Sequence, residues 1–293
     1  MVLRPRFGRL DGSATPLTRS AAPRLFRLVD DVALAVGART PHVIAIDETF
    51  NAYAVAVGVR RRRVLCLGLP LWAALGPQQR VALLGHELGH FVNGDVRRGL
   101  LAQPAFTTLA TAADLTRPVD DQSADVVSWF AAKAAQLFQL MISRTLLGLH
   151  FVLLSIALRD AQRSEYLADD MAAAVAGSAA ATEMLDTLLA IEAVDTVVRR
   201  SARVGGGPAQ WRAAAAEALA NLAPRLPAMR QLSLRDDVSL FMTHPPAGLR
   251  ARLLDARPQR PPTVVLTAAD AQLIDDELDR HYARSRRDIG WSA

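Results

Sequence analysis

His86, Glu87, Leu88, Gly89 and His90 read H-E-x-x-H inside a run with helical periodicity, and no other feature constrains the chain as tightly. Gly76 and Pro77 open the run, Val81, Leu83, Leu84, Leu88 and Phe91 give its apolar positions, and Gly94 stands where a C-cap glycine would end it. Histidines four apart project from one helical face, about 6 Å apart along the axis, so both imidazoles can reach one zinc ion. Glu87 lies at the edge of that face, where it can take a proton from water as a general base. Two ordinary histidines on a helix would give the same pattern. The metal reading therefore needs a further ligand, and the fold must press a second element against this helix to supply it.

Glu165 is the candidate for that ligand. It sits in Arg163, Ser164, Glu165, Tyr166, Leu167, Ala168, Asp169, which reads as the polar start of a helix with Glu165 and Asp169 sharing a face at i and i+4. One carboxylate can bind metal while the other orients a histidine and raises its basicity. A solvated acidic helix start, favoured by the helix dipole, is the alternative.

The chain has 293 residues, 51% apolar and 22% charged, enough for one large domain or two small ones and too apolar for intrinsic disorder. Its single cysteine, Cys66, excludes an internal disulfide and a four-cysteine metal site, and a reducing compartment is expected. The net charge of +5 is arginine-rich, but Arg60 to Arg63 lacks interleaved aromatics, so the cluster reads as a solvated turn and no nucleic-acid partner is expected. Arg4, Arg6 and Arg9 precede no apolar stretch of secretory type, so the amino end does not read as a secretory signal.

Residues 20 to 37 predict an amphipathic helix, and His42 to Ile46, Ala52 to Val59 and Arg63 to Leu67 predict a small antiparallel sheet. From residue 77 to about 224 the chain reads helical, with a break at Gly205 to Pro208. Arg257 to Thr263 forms a proline-rich connector to a last helix, Ala268 to Ala283. That helix carries Leu273, Ile274, Leu278 and Tyr282 as a narrow apolar stripe for docking on the main body or a partner. The expected fold class is α+β, mainly helical. Residues 1–256 are expected to form the main domain, and 257–293 an appendage.

The segment 99–158 supports two readings. Thr145 to Leu158 is 14 residues without formal charge, between Arg144 and Arg159, too short to cross a bilayer core of about 30 Å. Extended back to Ala134 it is long enough but takes in Gln136, Gln139 and Arg144. It is either a helix packed in a soluble bundle or part of a membrane-inserted or interfacial hairpin. In the second case, the loop with Asp120, Asp121 and Asp125 and the flanks with Arg97, Arg98, Arg159 and Arg163 place the rest of the protein on the cytoplasmic side.

His86 to His90 with Gly94 and Asp95, then Ser164, Glu165, Tyr166, Ala168 and Asp169, then Thr243, His244, Pro245, Pro246 and Arg250, resemble the successive motifs of the HtpX and CAAX prenyl protease family of gluzincins. Asn51, Ala52, Tyr53, Ala54 and Gly58 resemble that family's strand before the histidine helix, so the likeness runs from about residue 20 to 256. It implies a zincin-like catalytic domain whose small antiparallel sheet lies beside the H-E-x-x-H helix, and a zinc endopeptidase that takes polypeptide substrates. His86, His90 and Glu165 would be the zinc ligands, Glu87 the general base and then acid, and Asp169 the carboxylate behind a histidine. His244 would stabilise the oxyanion, with Arg250 in support; by residue type alone His244 is equally a loop histidine. Asn51 to Ala54 would hold an extended substrate backbone by adding a strand. Family members usually carry transmembrane helices before the histidine helix, and nothing before residue 77 here qualifies as one. The resemblance places a possible membrane hairpin at 99–158. A catalytically idle, zinc-stabilised scaffold is the competing expectation, and the compartment is cytoplasmic or the cytoplasmic face of a membrane.

Overall fold

Leu25, Phe26, Leu28, Val29, Val32 and Ala33 turn one face of α1 (Pro23–Ala35) into the core, and Pro23 occupies its first turn, where a missing N–H costs no hydrogen bond. No side chain of its own caps α1. Glu277 does so from far along the chain, accepting from the backbone N–H of Arg24 at 2.9 Å and of Leu25 at 3.2 Å. The computed structural model describes residues 12–58, 60–93, 95–118, 126–236 and 245–291. Gly94, the acidic loop with Asp120, Asp121 and Asp125, and Thr243 with His244 lie outside them.

β1 (Thr15–Leu17), β2 (Val43–Asp47), β3 (Ala52–Val57) and β4 (Arg62–Gly68) form one four-stranded sheet in the order β1-β2-β4-β3. The sheet is mixed, not purely antiparallel as the sequence predicts: β2 pairs parallel to β4. Two successive reversals return the chain to its starting direction, and β4 then inserts between β2 and β3. Burial follows, since Ile44, Ala45, Ile46 and Val64 to Leu67 are covered on both faces, as central strands are. β3 is left as the last strand of the sheet. The three-residue β1 was too short to carry an alternation that could be read.

α2 (Leu69–Ala74) is wholly buried and leads to α3 (Pro77–Asn93), the H-E-x-x-H helix. α4 (Asp95–Leu115) runs through Pro104 without ending, and α5 (Val126–Ala176) continues for 51 residues, about 76 Å. Arg163 to Asp169 is therefore mid-helix and not a helix start, because nothing between Thr145 and Leu158 breaks the helix before it. The helix-dipole alternative for Glu165 lapses with it. α6 (Ser178–Leu189), α7 (Ile191–Arg203), α8 (Pro208–Leu222), α9 (Leu226–Asp236) and α10 (Ala247–Asp255) follow. The expected last helix is two, α11 (Ala268–Glu277) and α12 (Asp279–Trp291). Ile274, Leu278 and Tyr282 enter the main core while Leu273 stays exposed.

The main packing is α3 on α5, and small residues set its distance. A Cβ on Gly85 would stand 2.5 Å from Val175 Cγ2 and 3.0 Å from Ala172 Cα; one on Gly89 would stand 3.1 Å from Ala168 Cα and 3.1 Å from Met171 Sδ. The outer half of α5 is different. Phe130 (64% exposed), Leu137 (64%), Phe138, Met141, Val152 and Ile156 face outward, on a helix long and apolar enough to cross a membrane.

α12 also packs against the β2–β3 turn, where Ser13, Thr15, Asp47, Glu48, His281 and Arg284 line a small cavity. Partial burial and the neighbouring Asp288 carboxyl push Glu48 up to about 7, against Arg284.

Two predictions follow from this packing. Gly85→Ala should lower stability by about 1–3 kcal/mol through overpacking, whereas Gly148→Ala, with open space around its Cβ, should raise it by roughly 0.5–1 kcal/mol in thermal melts. For Glu48, a folded-state value above the ordinary 4.5 means stability is fully present below pH 4.5 and is lost as pH rises through about 7. The melting temperature should fall over that window, and Glu48→Gln should flatten the fall; an unchanged profile in the variant would remove Glu48 as its source.

Candidate metal centre

α3 presents His86 and His90 on the side that faces α5, and their rings meet edge to face with centroids 4.9 Å apart. Because Gly85 and Gly89 let α5 approach so closely, Glu165 arrives between them: Oε2 is 3.6 Å from His86 Nε2 and Oε1 is 3.6 Å from His90 Nε2. The two Nε2 atoms are 3.3 Å apart. One ligand atom from each of the three residues lies within 4.8 Å of the others, on the inner side of the protein. Two imidazoles and a carboxylate, converging with His86 and Glu165 buried and His90 half-buried, are a donor set that suits zinc.

Asp169, one turn beyond Glu165 on α5, fixes the histidine. Its Oδ1 lies 3.0 Å from His86 Nδ1, and an ionised carboxylate only accepts, so the Nδ1 carries the proton and Nε2 keeps its lone pair toward Glu165 and His90. Burial opposes the charge on Asp169, but hydrogen bonds from Arg250 and His86 overcome it and hold the carboxyl well below the usual carboxylate range. Arg250 donates Nε to Asp169 Oδ2 at 2.7 Å and Nη2 to Oδ1 at 2.6 Å, and its Nη1 lies 3.2 Å from Glu165 Oε2. Burial disfavours its charge too, yet the Asp169 hydrogen bonds and the charges of Asp169, Glu165 and Glu87 raise its affinity for the proton. Glu87 is buried beside His86, within reach of Arg250's field.

α10 delivers Arg250. Pro245 and Pro246 are buried at its start, and Gly248 seats it against α9, where a Cβ would collide with Arg230 O. Arg230 then ties α9 to Asp186 of α6 and Asp255 of α10, each at 2.7 Å. On the sheet, Ala52 is buried, Tyr53 and Ala54 are half-buried, and Asn51 is exposed just before β3, its carbonyl accepting from Gly68 N at 2.8 Å. Among the described residues no strand pairs with the outer side of β3. The structure thus gathers His86, Glu87, His90, Glu165, Asp169 and Arg250 at one place and sets Asn51 to Ala54 on a sheet edge. His244 lies outside the described residues.

Sequence reasoning missed Asn93, whose Nδ2 donates to Ser164 O at 3.3 Å and ties the end of α3 to α5. It also missed the Gly85–Gly89 and Ala168–Ala172 pairs, though their four-residue spacing was there to be read.

Comparison with known proteins adds the family. Residues 19–258 match the pattern of Peptidase family M48. The protease HtpX homolog 1 of Sulfurisphaera tokodaii is 36% identical over 77 residues, 26% of this chain and 24% of that protein. The protease HtpX homolog of Syntrophobacter fumaroxidans is 31% identical over 84 residues, 28% of this chain and 29% of that protein. In both, the aligned part is well under a third of the relative's length. No solved structure gives a significant match. With the family pattern covering residues 19–258, most of its length, the chain belongs to peptidase family M48.

Proposed function

We propose that this chain is a zinc-dependent endopeptidase acting on extended or unfolded polypeptide segments. His86, His90 and Glu165 are the metal ligands, Glu87 the general base and then acid, and Asp169 and Arg250 the groups that hold the ligands. The observation that carries the reading is the convergence of His86, His90 and Glu165, with Asp169 behind His86. A zinc ion held there supplies polarisation of the scissile carbonyl and an acidified water. Arg250 keeps Asp169 ionised; Asp169 keeps the proton on His86 Nδ1, so that Nε2 is free to ligate. Glu87 accepts the proton of the attacking water and returns it to the leaving amine. His244 takes the role of oxyanion donor from its motif, next to Pro245 and Pro246. Asn51 to Ala54 hold the substrate backbone along the open side of β3, which presents one peptide bond in a defined orientation.

α4 and the outer half of α5 form a membrane-associated hairpin in this reading. Support comes from the outward-facing Phe130, Leu137, Phe138, Met141, Val152 and Ile156, an apolar surface that water would penalise. The arginine flanks and acidic loop put the catalytic part on the cytoplasmic side.

Glu87→Gln should retain zinc and lose cleavage of an unstructured protein by about 10²–10⁴-fold, while Glu165→Ala should lose the metal as well. Zinc content and cleavage measured on identically prepared proteins decide this. Full activity in Glu87→Gln would sink the mechanism, and zinc without cleavage in the wild type would favour the idle scaffold. The wild type should float with lipid vesicles of mixed phosphatidylcholine and phosphatidylglycerol, and Phe138→Asp with Val152→Asp should stay with the soluble fraction. Equal flotation would point to a different membrane contact.

A further inference from the structure

α3 carries a charge that the site's chemistry does not use. Arg80 is 0% exposed, less than two turns before His86 on the same helix. Its guanidinium lies 4.8 Å from the centre of the Trp72 ring and donates from Nε to Trp72 O at 2.8 Å. Asp275 of α11 supplies the counter-charge, with Oδ1 3.0 Å from Nη1 and Oδ2 3.2 Å from Nη2. Asp275 is buried as well, and it also accepts from the Tyr282 hydroxyl of α12 at 3.0 Å and from Arg212 of α8. The anion that allows a guanidinium inside α3's packing thus comes from a segment that the family match, ending at residue 258, does not reach.

The same segment is tied to the site's supports along its length. Thr263 N and Val264 N both donate to Val175 O of α5 at 3.0 Å. Gln78 of α3 donates to Val264 O at 2.7 Å and accepts from Leu266 N at 3.2 Å. Arg260 pairs with Asp170, next to Asp169, at 3.3 Å, and Glu277 caps α1. These contacts fall on α1, α3 and α5, and the last two carry the candidate ligands.

We infer that residues 259–291, which lie beyond the family-matched range, are a brace that supplies through Asp275 the counter-ion of Arg80 and thereby holds α3, with His86 and His90, in register against α5. A guanidinium does not deprotonate in a protein, so without Asp275 the cation must find water. Water reaches it only if the brace lifts or α3 shifts. A shift of α3 carries the imidazoles with it, because a helix moves as a rigid rod over so short a distance, and a lifted brace removes what holds α3 in place. Arg80 and Asp275 are accordingly positioning residues. Their effect on metal binding rests on the zinc reading of His86, His90 and Glu165; their effect on the brace does not.

The test uses the full chain with a site-specific protease sequence inserted after Pro258, in the exposed connector. After cleavage, the wild-type fragments should co-elute in size exclusion and bind Zn²⁺ as before in competition with a chelating dye. Asp275→Asn keeps the shape and removes the charge; the nicked variant should shed the brace, and uncut it should bind Zn²⁺ at least about tenfold more weakly. Arg80→Met combined with Asp275→Asn removes the cation that needed pairing and should recover most of the lost Zn²⁺ affinity, a rescue that a mere loss of packing would not give. Loss of the brace from nicked wild-type protein with Zn²⁺ affinity intact would overturn the inference, as would wild-type affinity in uncut Asp275→Asn. If the wild type binds no Zn²⁺ at all, the metal reading fails, and the brace stands or falls on co-elution: retained in the nicked wild type and shed by nicked Asp275→Asn, or not.

Discussion

The close approach of α3 and α5 is the contact on which the rest of the site depends. Glu165 and Asp169 lie on the α5 face that carries Ala168 and Ala172, and these alanines meet Gly85 and Gly89 with no room for another carbon. A wider separation would leave Glu165 beyond reach of both imidazoles and Asp169 beyond reach of His86 Nδ1, whose present distance is 3.0 Å. The spacing is set by glycine backbone on α3 against the Ala168 and Ala172 backbone of α5, with the Val175 and Met171 side chains closing the contact, and a site of three short ligands requires such a fixed spacing.

Such a contact also forces charge into the interior. Glu87, Glu165, Asp169 and Arg250 are all buried, and desolvation penalises each one. The arrangement survives because Arg250 serves two carboxylates, bidentate to Asp169 and single to Glu165, in the planar fork geometry that lysine cannot offer. The back of α3 repeats the solution with signs exchanged: there Asp275 serves Arg80, Arg212 and the Tyr282 hydroxyl. α3 is held on both sides by buried polar contacts, which specify one position more sharply than apolar packing would.

What could be read from the sequence divides along range. That His86, Glu87 and His90 share one part of a helix was legible because it depends on spacing within that helix, and the pairing of Glu165 with Asp169 was legible for the same reason. That this pair sits in the middle of a 51-residue helix was not, since polarity at Arg163 to Asp169 looks like a start when the apolar run before it has no visible partner. The strands were legible from their residues, whereas the parallel pairing of β2 with β4 follows from where β4 inserts, between β2 and β3, which no local pattern specifies. Leu273, Ile274, Leu278 and Tyr282 announced an apolar stripe for docking on the main body or a partner, and Ile274, Leu278 and Tyr282 do enter the main core. Arg80 and Asp275 are nearly two hundred residues apart, and neither has a local pattern that names the other.

α5 joins the two halves of the proposed function mechanically. Its outward apolar surface and its two site carboxylates share one unbroken helix, and Glu165 lies about 10 Å along the axis from Leu158, the last residue of the uncharged run. A helix with no break, proline or glycine between those points transmits tilt without absorbing it. If the hairpin sits in a bilayer, the depth and angle of the hairpin set the height of the metal centre above the lipid surface. The brace opposes that coupling at the other end of the same helix, since Val175 and Asp170 fasten the carboxyl-terminal third of α5 to residues 259–291. In that arrangement the site lies between a lever and its anchor, and both bear on the geometry of His86, His90 and Glu165.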